Sequence, residues 1–278
     1  MMSTAITKKL SPAEAIRPFT FESYGVSVTI SSNRQEMIDE AAAVARVSLL
    51  GLVKVIRKKN VDLHFQLDRV GRRYIFIQNG EEITWGTSRK KFFKFFDSVI
   101  RASIGEQTTD WVFVHAGVVG WNGKAILLPA DSFKGKSTMV AELVRRGAVY
   151  YSDDFAILDK GGLVHAFPRP LSLRTEEFGE YKLTVDSIGG VPATGPMPVG
   201  LVLLTEYRKN AKWAPVVFSA GNGALEMIPF TLTFRKQPEL SLRVLNNIAS
   251  RAIIASSPRG NANDFADVIL NFVDKTVN

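Results

Sequence analysis

Ala125–Gly147 reads AILLPADSFKGKSTMVAELVRRG, and the fold turns on how this stretch is parsed. A short apolar run gives way to a polar loop holding Gly135-Lys136-Ser137. The segment after it has apolar residues at Met139, Val140, Leu143 and Val144. That spacing predicts a helix over Lys136–Arg146 with one buried face and Gly147 as its C-terminal cap. A phosphate cradle needs backbone N–H groups converging on anionic oxygens, a helix N-terminus behind them and a lysine for the outer phosphates. Here Asp131, Ser132, Phe133, Lys134 and Gly135 form the expected loop and Lys136 the cation. Ser137 is the candidate Mg²⁺ hydroxyl, with Thr138 beside it. The usual spacing, G-x-x-x-x-G-K-[ST], is met at Gly135, Lys136 and Ser137 but has Ala130 in place of the first glycine. If that position required a positive φ, alanine would cost on the order of 1 kcal/mol.

The flanks supply the context that a bare Gly-Lys-Ser lacks. Upstream, DWVFVHAGVVGWNGKAILLPA holds β runs around an Asn122-Gly123 turn. Downstream, AVYYSDDFAIL reads as the next strand, so the order is strand, loop, helix, strand, the frame of a nucleotide-binding α/β unit. VGLVLLTEY reads as a buried strand. PELSLRVLNNIASRA and NANDFADVILNFVDK read as amphipathic helices. DSIGGVPATGPMP, Asp186–Pro198, reads as a long mobile loop placed to close over an acceptor. Residues 1–108 read as a smaller α+β domain. YGVSVTISS and VDLHFQLD alternate as half-buried strands, and Asn79-Gly80 turns a hairpin. Ser31–Leu50 and SRKKFFKFFDSVIR read as helices. The catalytic-type unit then spans 109–278.

Asp153 and Asp154 lie at the end of GAVYYS, seventeen positions after Lys136. A strand next to the loop strand and parallel to it would bring them to the same crevice. One carboxylate, Asp153, is then expected to take the acceptor proton and the other, Asp154, to hold the metal ion. Arg169 and Arg174, which bracket PRPLSLR, and Arg208 after VGLVLLTEY are candidates for gripping phosphate or carboxylate groups. Glu206 is a rival metal carboxylate. His64 reads as a strand-surface residue.

Bulk numbers narrow the classes. With 46% apolar and 22% charged residues the chain reads as an ordinary folded globular protein. Cys is absent, which removes disulfides, thiolate metal sites and cysteine nucleophiles; with only three histidines, His64, His115 and His165, a multi-histidine metal site is not expected. No stretch has signal-peptide or membrane-span character, so the expectation is a cytoplasmic protein with no membrane partner. The net charge of +8 favours anionic partners, but the cations are dispersed and no nucleic-acid motif is visible.

HAGVVGWNGKAILLPADSFKGKSTMVAELVRRGAVYYSDDFAIL resembles the catalytic core of HPr kinase/phosphorylase and its relatives. His115 matches that core's leading histidine; Asp131, Ser132, Gly135, Lys136 and Ser137 match its loop; Arg146-Gly147 matches its helix end and Ser152-Asp153-Asp154 its carboxylate pair. FPRPLSLR and IPFTLTFRKQPELSLRVLNNIASRA look like HPr-kinase-related proteins of bacterial peptide-tailoring operons. The resemblance implies a P-loop-type α/β kinase core, related to phosphoenolpyruvate carboxykinase, with ATP and Mg²⁺ as cofactors. It implies phosphorylation of a hydroxyl, usually a seryl one, with the carboxylate as base and His115 near the reacting phosphate. Ala130 and Phe133 depart from the loop's glycines, the HPr-engaging signature is missing, and residues 1–108 do not match the usual N-terminal domain. The acceptor expected is therefore a hydroxyl of a peptide, of a protein other than HPr, or of a small molecule. The alternatives are a nucleotide-binding regulatory protein that has lost catalysis and, on the +8 alone, a nucleic-acid-dependent ATPase. A homo-oligomer is compatible with the reading.

Overall fold

The computed structural model describes residues 16–131, 134–175 and 179–277. Its first sheet is built from β1 (Phe19–Ser23), β2 (Val26–Ser31), β3 (Lys54–Val55), β4 (Leu63–Val70), β5 (Arg73–Gln78) and β6 (Glu81–Gly86), with α1 (Gln35–Ser48) and α2 (Arg89–Gln107). The strand order is β3-β1-β2-β4-β5-β6, antiparallel except at β2–β4. In β4, Leu63, Phe65 and Leu67 are fully buried while His64 takes the opposite face, its Nε2 at 2.8 Å from Ser31 Oγ. The period-2 pattern thus decides which side the helices cover. α2 lays Phe92, Phe93, Phe96, Ile100 and Ile104 on that side. Each buried phenylalanine contributes about 1.5–3 kcal/mol. α1 starts four residues later than expected because Ser32 and Asn33 are engaged with β4: Asn33 N–H donates to Asp68 Oδ1 at 2.8 Å and its side chain to the Arg69 carbonyl at 3.1 Å. Both Asn-Gly pairs have positive φ at both residues, 51° and 89° at Asn79-Gly80, 48° and 76° at Asn122-Gly123, as two-residue hairpin turns require.

The second sheet is mixed and larger. It contains β7 (Val112–Val114), β8 (Ala116–Trp121), β9 (Lys124–Pro129), β10 (Val149–Ser152), β11 (Ala156–Leu158) and β12 (Leu163–His165). β13 (Leu171–Thr175) and β14 (Gly179–Leu183) form a separate hairpin; β15 (Met197–Tyr207), β16 (Val216–Val217) and β17 (Ile253–Arg259) complete the sheet. The order is β10-β8-β9-β15-β12-β11-β7, with β17 parallel to β15. The carboxylate strand β10 is therefore not the neighbour of β9, as the sequence suggested. β8 lies between them, antiparallel to both, so β9 and β10 still run the same way and end on the same edge. α3 (Lys136–Arg145) and α6 (Ala262–Thr276) cover one face; α4 (Ala220–Met227) and α5 (Pro238–Ala249) cover the other. The result is a mixed α/β architecture with helices on both sides of its main sheet.

Two expectations are corrected here. AVYYSDDFAIL is two strands, not one. Ser152 Oγ accepts from the N–H of Asp154 and of Phe155, both at 3.1 Å, and this local turn breaks the chain between β10 and β11. Asp186–Pro198 does not close over a site. It pairs along β10, through Tyr150 N–H to the Val191 carbonyl at 2.9 Å and Ala193 N–H to the Tyr150 carbonyl at 2.7 Å, and Ile188 packs on the core. Unsatisfied backbone at a sheet edge is what this segment covers.

The two sheets meet along α2. Thr233 Oγ1 donates to the Gly105 carbonyl at 2.7 Å and Thr108 Oγ1 to the Tyr24 carbonyl at 2.9 Å. Tyr24 stacks edge-on against Trp111 and Phe113, with centroids 5.8 and 5.1 Å apart. Among the described residues no helix is long and apolar enough to cross a membrane.

Candidate active site

The C-terminal end of β9 runs through Ala130 and Asp131 toward the start of α3. Ser132 and Phe133 lie outside the described residues. Gly135 is the N-cap of α3 with φ 76° and ψ 22°, a left-handed conformation in which an added Cβ would also sit 2.7 Å from Arg259 Nη2. Ala130 carries no positive φ, so the alanine that departs from the usual pattern is not strained. Arg259, at the end of β17, is almost fully buried and donates from Nη2 to the carbonyls of Lys134 (3.0 Å) and Gly135 (3.1 Å). It braces the loop from behind. Nothing in the sequence singled it out, because an arginine ending a strand reads as surface.

Lys136 is buried, its Nζ 3.4 Å from the Ala130 carbonyl. Gly117 on β8 makes room for it: a Cβ there would lie 2.5 Å from Val140 and 3.0 Å from the Lys136 stem. Burial lowers the Lys136 ammonium to about 8, although the carboxylates of Asp154, Asp153 and Asp131 pull the other way. Asp153 is also buried. It accepts from Ser172 N–H at 2.9 Å and Tyr150 O–H at 3.2 Å, and burial raises its proton affinity while Ser172, Ser137 and Tyr150 oppose the rise. Asp154, on the turn beside it, accepts from Arg101 Nε at 2.8 Å. The Ser152 turn is the reason both carboxylates reach one cavity, where a continuing strand would have sent them to opposite faces. His115 sits between β7 and β8, its N–H on the Phe230 carbonyl at 2.7 Å. Burial first, then the Lys136 charge, lower its imidazole to about 4 against the pull of Asp154 and Asp131, so it is neutral at physiological pH.

These groups line one cavity of about 860 Å³, together with Asp131, Ser137, Thr138, Arg169 and Arg174. Its far wall comes from α2. Arg101 bridges Asp97 and Asp154, each at 2.8 Å; Arg169 Nη2 donates to both oxygens of Asp97 at 3.0 Å. Asp97 is held at about 2 by the two guanidiniums, which outweigh its burial. Asp97 and Arg101 escaped sequence reasoning because the first hundred residues read as an independent unit. Arg169 enters the cavity, but as an engaged structural cation. Arg174 is exposed and donates to Glu180 at 3.4 Å.

Arg208 lies elsewhere. It pairs with Glu206 at 2.8 Å, and both face a second cavity of about 380 Å³ that holds Lys134, Thr205 and Ser257 and, among the described residues, shares only Asp131 with the first. Arg208 and Glu206 are thus not grouped with the Lys136 and Asp153 side of the loop. Among the described residues no three His, Asp or Glu side chains cluster as a self-contained metal cage.

No family model matches the chain, and no curated protein matches it. Among solved structures, the Hpr(Ser) kinase/phosphatase from Coxiella burnetii is similar at 12% identity, over 59% of this chain and 94% of that chain, with a TM-score of 0.32. That is a distant structural relationship to a kinase/phosphatase and by itself assigns no activity.

Proposed function

We propose that the chain is an ATP- and Mg²⁺-dependent phosphotransferase that moves the γ-phosphoryl group to a hydroxyl, most consistently a seryl hydroxyl of a peptide or protein. One observation carries this reading: Gly135, Lys136, Ser137, Asp153, Asp154 and His115, drawn from three separate segments, line a single cavity. In this reading the N–H groups at the start of α3 and the Lys136 ammonium bind the outer phosphates. The oxygen-only donor set of Ser137 and Asp154 fits Mg²⁺, an ion that completes its shell with substrate phosphates and water. When bound, the ion would neutralise charge on the transferred group. Asp153, whose burial raises its proton affinity, takes the proton of the attacking hydroxyl. Neutral His115 donates a hydrogen bond to a phosphate oxygen and carries no charge of its own. Arg101 fixes Asp154, itself part of the cavity lining, through one oxygen.

The test is transfer of label from γ-labelled ATP to a panel of seryl peptides, comparing the natural chain with Asp153→Asn and Asp154→Asn. ATP binding by calorimetry should persist in Asp153→Asn while transfer falls by about 10²–10⁴-fold. Unchanged transfer in both variants would remove the assignment.

A further inference from the structure

We propose that the acceptor is an acidic peptide, its carboxylates held by a rim of cations that Lys90 and Lys94 of α2 and Arg174 and Lys182 of the β13–β14 hairpin form around the mouth of the main cavity. The hydroxyl chemistry rests on the phosphotransferase reading above; the anion preference does not.

Apart from Lys136, the cations of this cavity divide into two groups. The inner pair, Arg101 and Arg169, is consumed by Asp97 and Asp154. The outer four belong to two elements, α2 and the hairpin, which Lys94 and Glu180 join. The first turn of α2 is Arg89, Lys90 and Lys91, with no acidic residue. Cations at the positive end of a helix are unfavourable, and like charges one turn apart, as at Lys90 and Lys94, add to the cost. Arg89 offsets this by pairing with Glu40 on α1. Lys90 and Lys182 have no ion-pair partner among the described residues. A sequence that works against its own helix in this way marks a place where something other than folding sets the residue choice.

Glu180 shows what the rim does with a carboxylate. Its side chain receives Lys94 Nζ at 2.5 Å, Arg174 Nη2 at 3.4 Å and Ser172 Oγ at 2.9 Å. The cations of both elements therefore already converge on one acid, and Lys90 and Lys182 extend the same charge outward. The hairpin favours a peptide. Among the described residues it pairs with no other strand, so it offers a backbone edge to an extended chain, and Tyr181 is exposed beside that edge. A nucleic acid would need a basic stripe along a face, whereas these cations are confined to one opening.

The test uses the full chain and three fluorescent peptides of equal length, each with one serine, flanked by aspartates, asparagines or lysines. Binding is read by anisotropy with Mg²⁺ and a non-hydrolysable ATP analogue at low and high salt. The aspartate peptide should bind about tenfold more tightly than the asparagine peptide at low salt and lose that margin at high salt. The double variant Lys90→Glu, Lys182→Glu should transfer the preference to the lysine peptide; melting temperature and calorimetry with ATP control for its fold. Equal binding of the aspartate and asparagine peptides overturns the proposal. So does a preference that survives charge reversal in a folded variant, or tighter binding of a single-stranded oligonucleotide of equal charge. Selective binding of the acidic peptide without phosphoryl transfer supports the rim and sinks the kinase reading. Transfer without charge selectivity sinks the rim and leaves the kinase reading.

Discussion

Two cavities flank the same loop and differ in what burial has done to their charges. On one side Lys136 and Asp153 are buried and His115 half-buried, their proton affinities displaced, and Asp154 is fixed by the Arg101 guanidinium of α2. On the other side Glu206 and Arg208 pair with each other in solvent, where an ion pair contributes about 0–1 kcal/mol. Both sides offer a carboxylate and a cation at a sheet edge. Only desolvation gives such groups the altered affinity that proton and phosphate transfer use.

The largest expected contrast is in activity. Lys136→Met should lower phosphoryl transfer by about 10³-fold, as for loss of a charge-stabilising group in a closed site. The same measurement on Arg208→Ala should move by less than about threefold if the second cavity plays no part in chemistry. Comparable losses in both would erase the distinction between the two cavities.

Next comes stability. Arg101→Ala leaves Asp97 and Asp154 without a shared partner in a buried network, at a cost of about 3 kcal/mol in denaturant unfolding. Arg101→Lys should recover less than half of that, since an ammonium does not reproduce the fork.

A pH series sharpens the buried side. His115 has a lower proton affinity folded, about 4, than its ordinary value of 6.5, so the unfolded chain binds the extra proton between these limits. Stability contributed by His115 is present above about 6.5 and lost as pH falls toward 4. For Lys136 the window lies between about 8 and 10.5, and stability again rises with pH. The melting temperature of the natural chain should therefore fall more steeply than that of His115→Asn as pH drops from about 6.5 toward 4; parallel curves would contradict the half-buried neutral imidazole.

Smaller again is Gly135→Ala. A side chain in the left-handed region costs about 1–2 kcal/mol, and here it also presses on Arg259. Ala130→Gly, at a residue without positive φ, should gain nothing and lose a few tenths of a kcal/mol through chain entropy. A gain in stability for Ala130→Gly would show strain that the backbone angles do not.

Much of the local structure was legible. The stripe in α2, the alternation in β4, both Asn-Gly hairpins and the helix after Gly135 follow from apolar periodicity and turn chemistry, which act over a few residues. The errors share one cause. AVYYSDDFAIL read as a single strand because Ser152 gives no period signal, though its hydroxyl ends the strand. The Gly- and Pro-rich stretch at Asp186–Pro198 read as mobile because composition does not reveal that a sheet edge is waiting for it.

By itself, then, the sequence determined the order strand, loop, helix, strand, and the residue types at the phosphate-loop candidate. These depend on spacing along the chain. Tertiary structure alone decided that β8 stands between the loop strand and the carboxylate strand, that α2 supplies Arg101 and Asp97 to the cavity, and that Arg208 faces away from it. Those facts come from which surfaces pack together and which charges lose water in the process, and no local pattern encodes them.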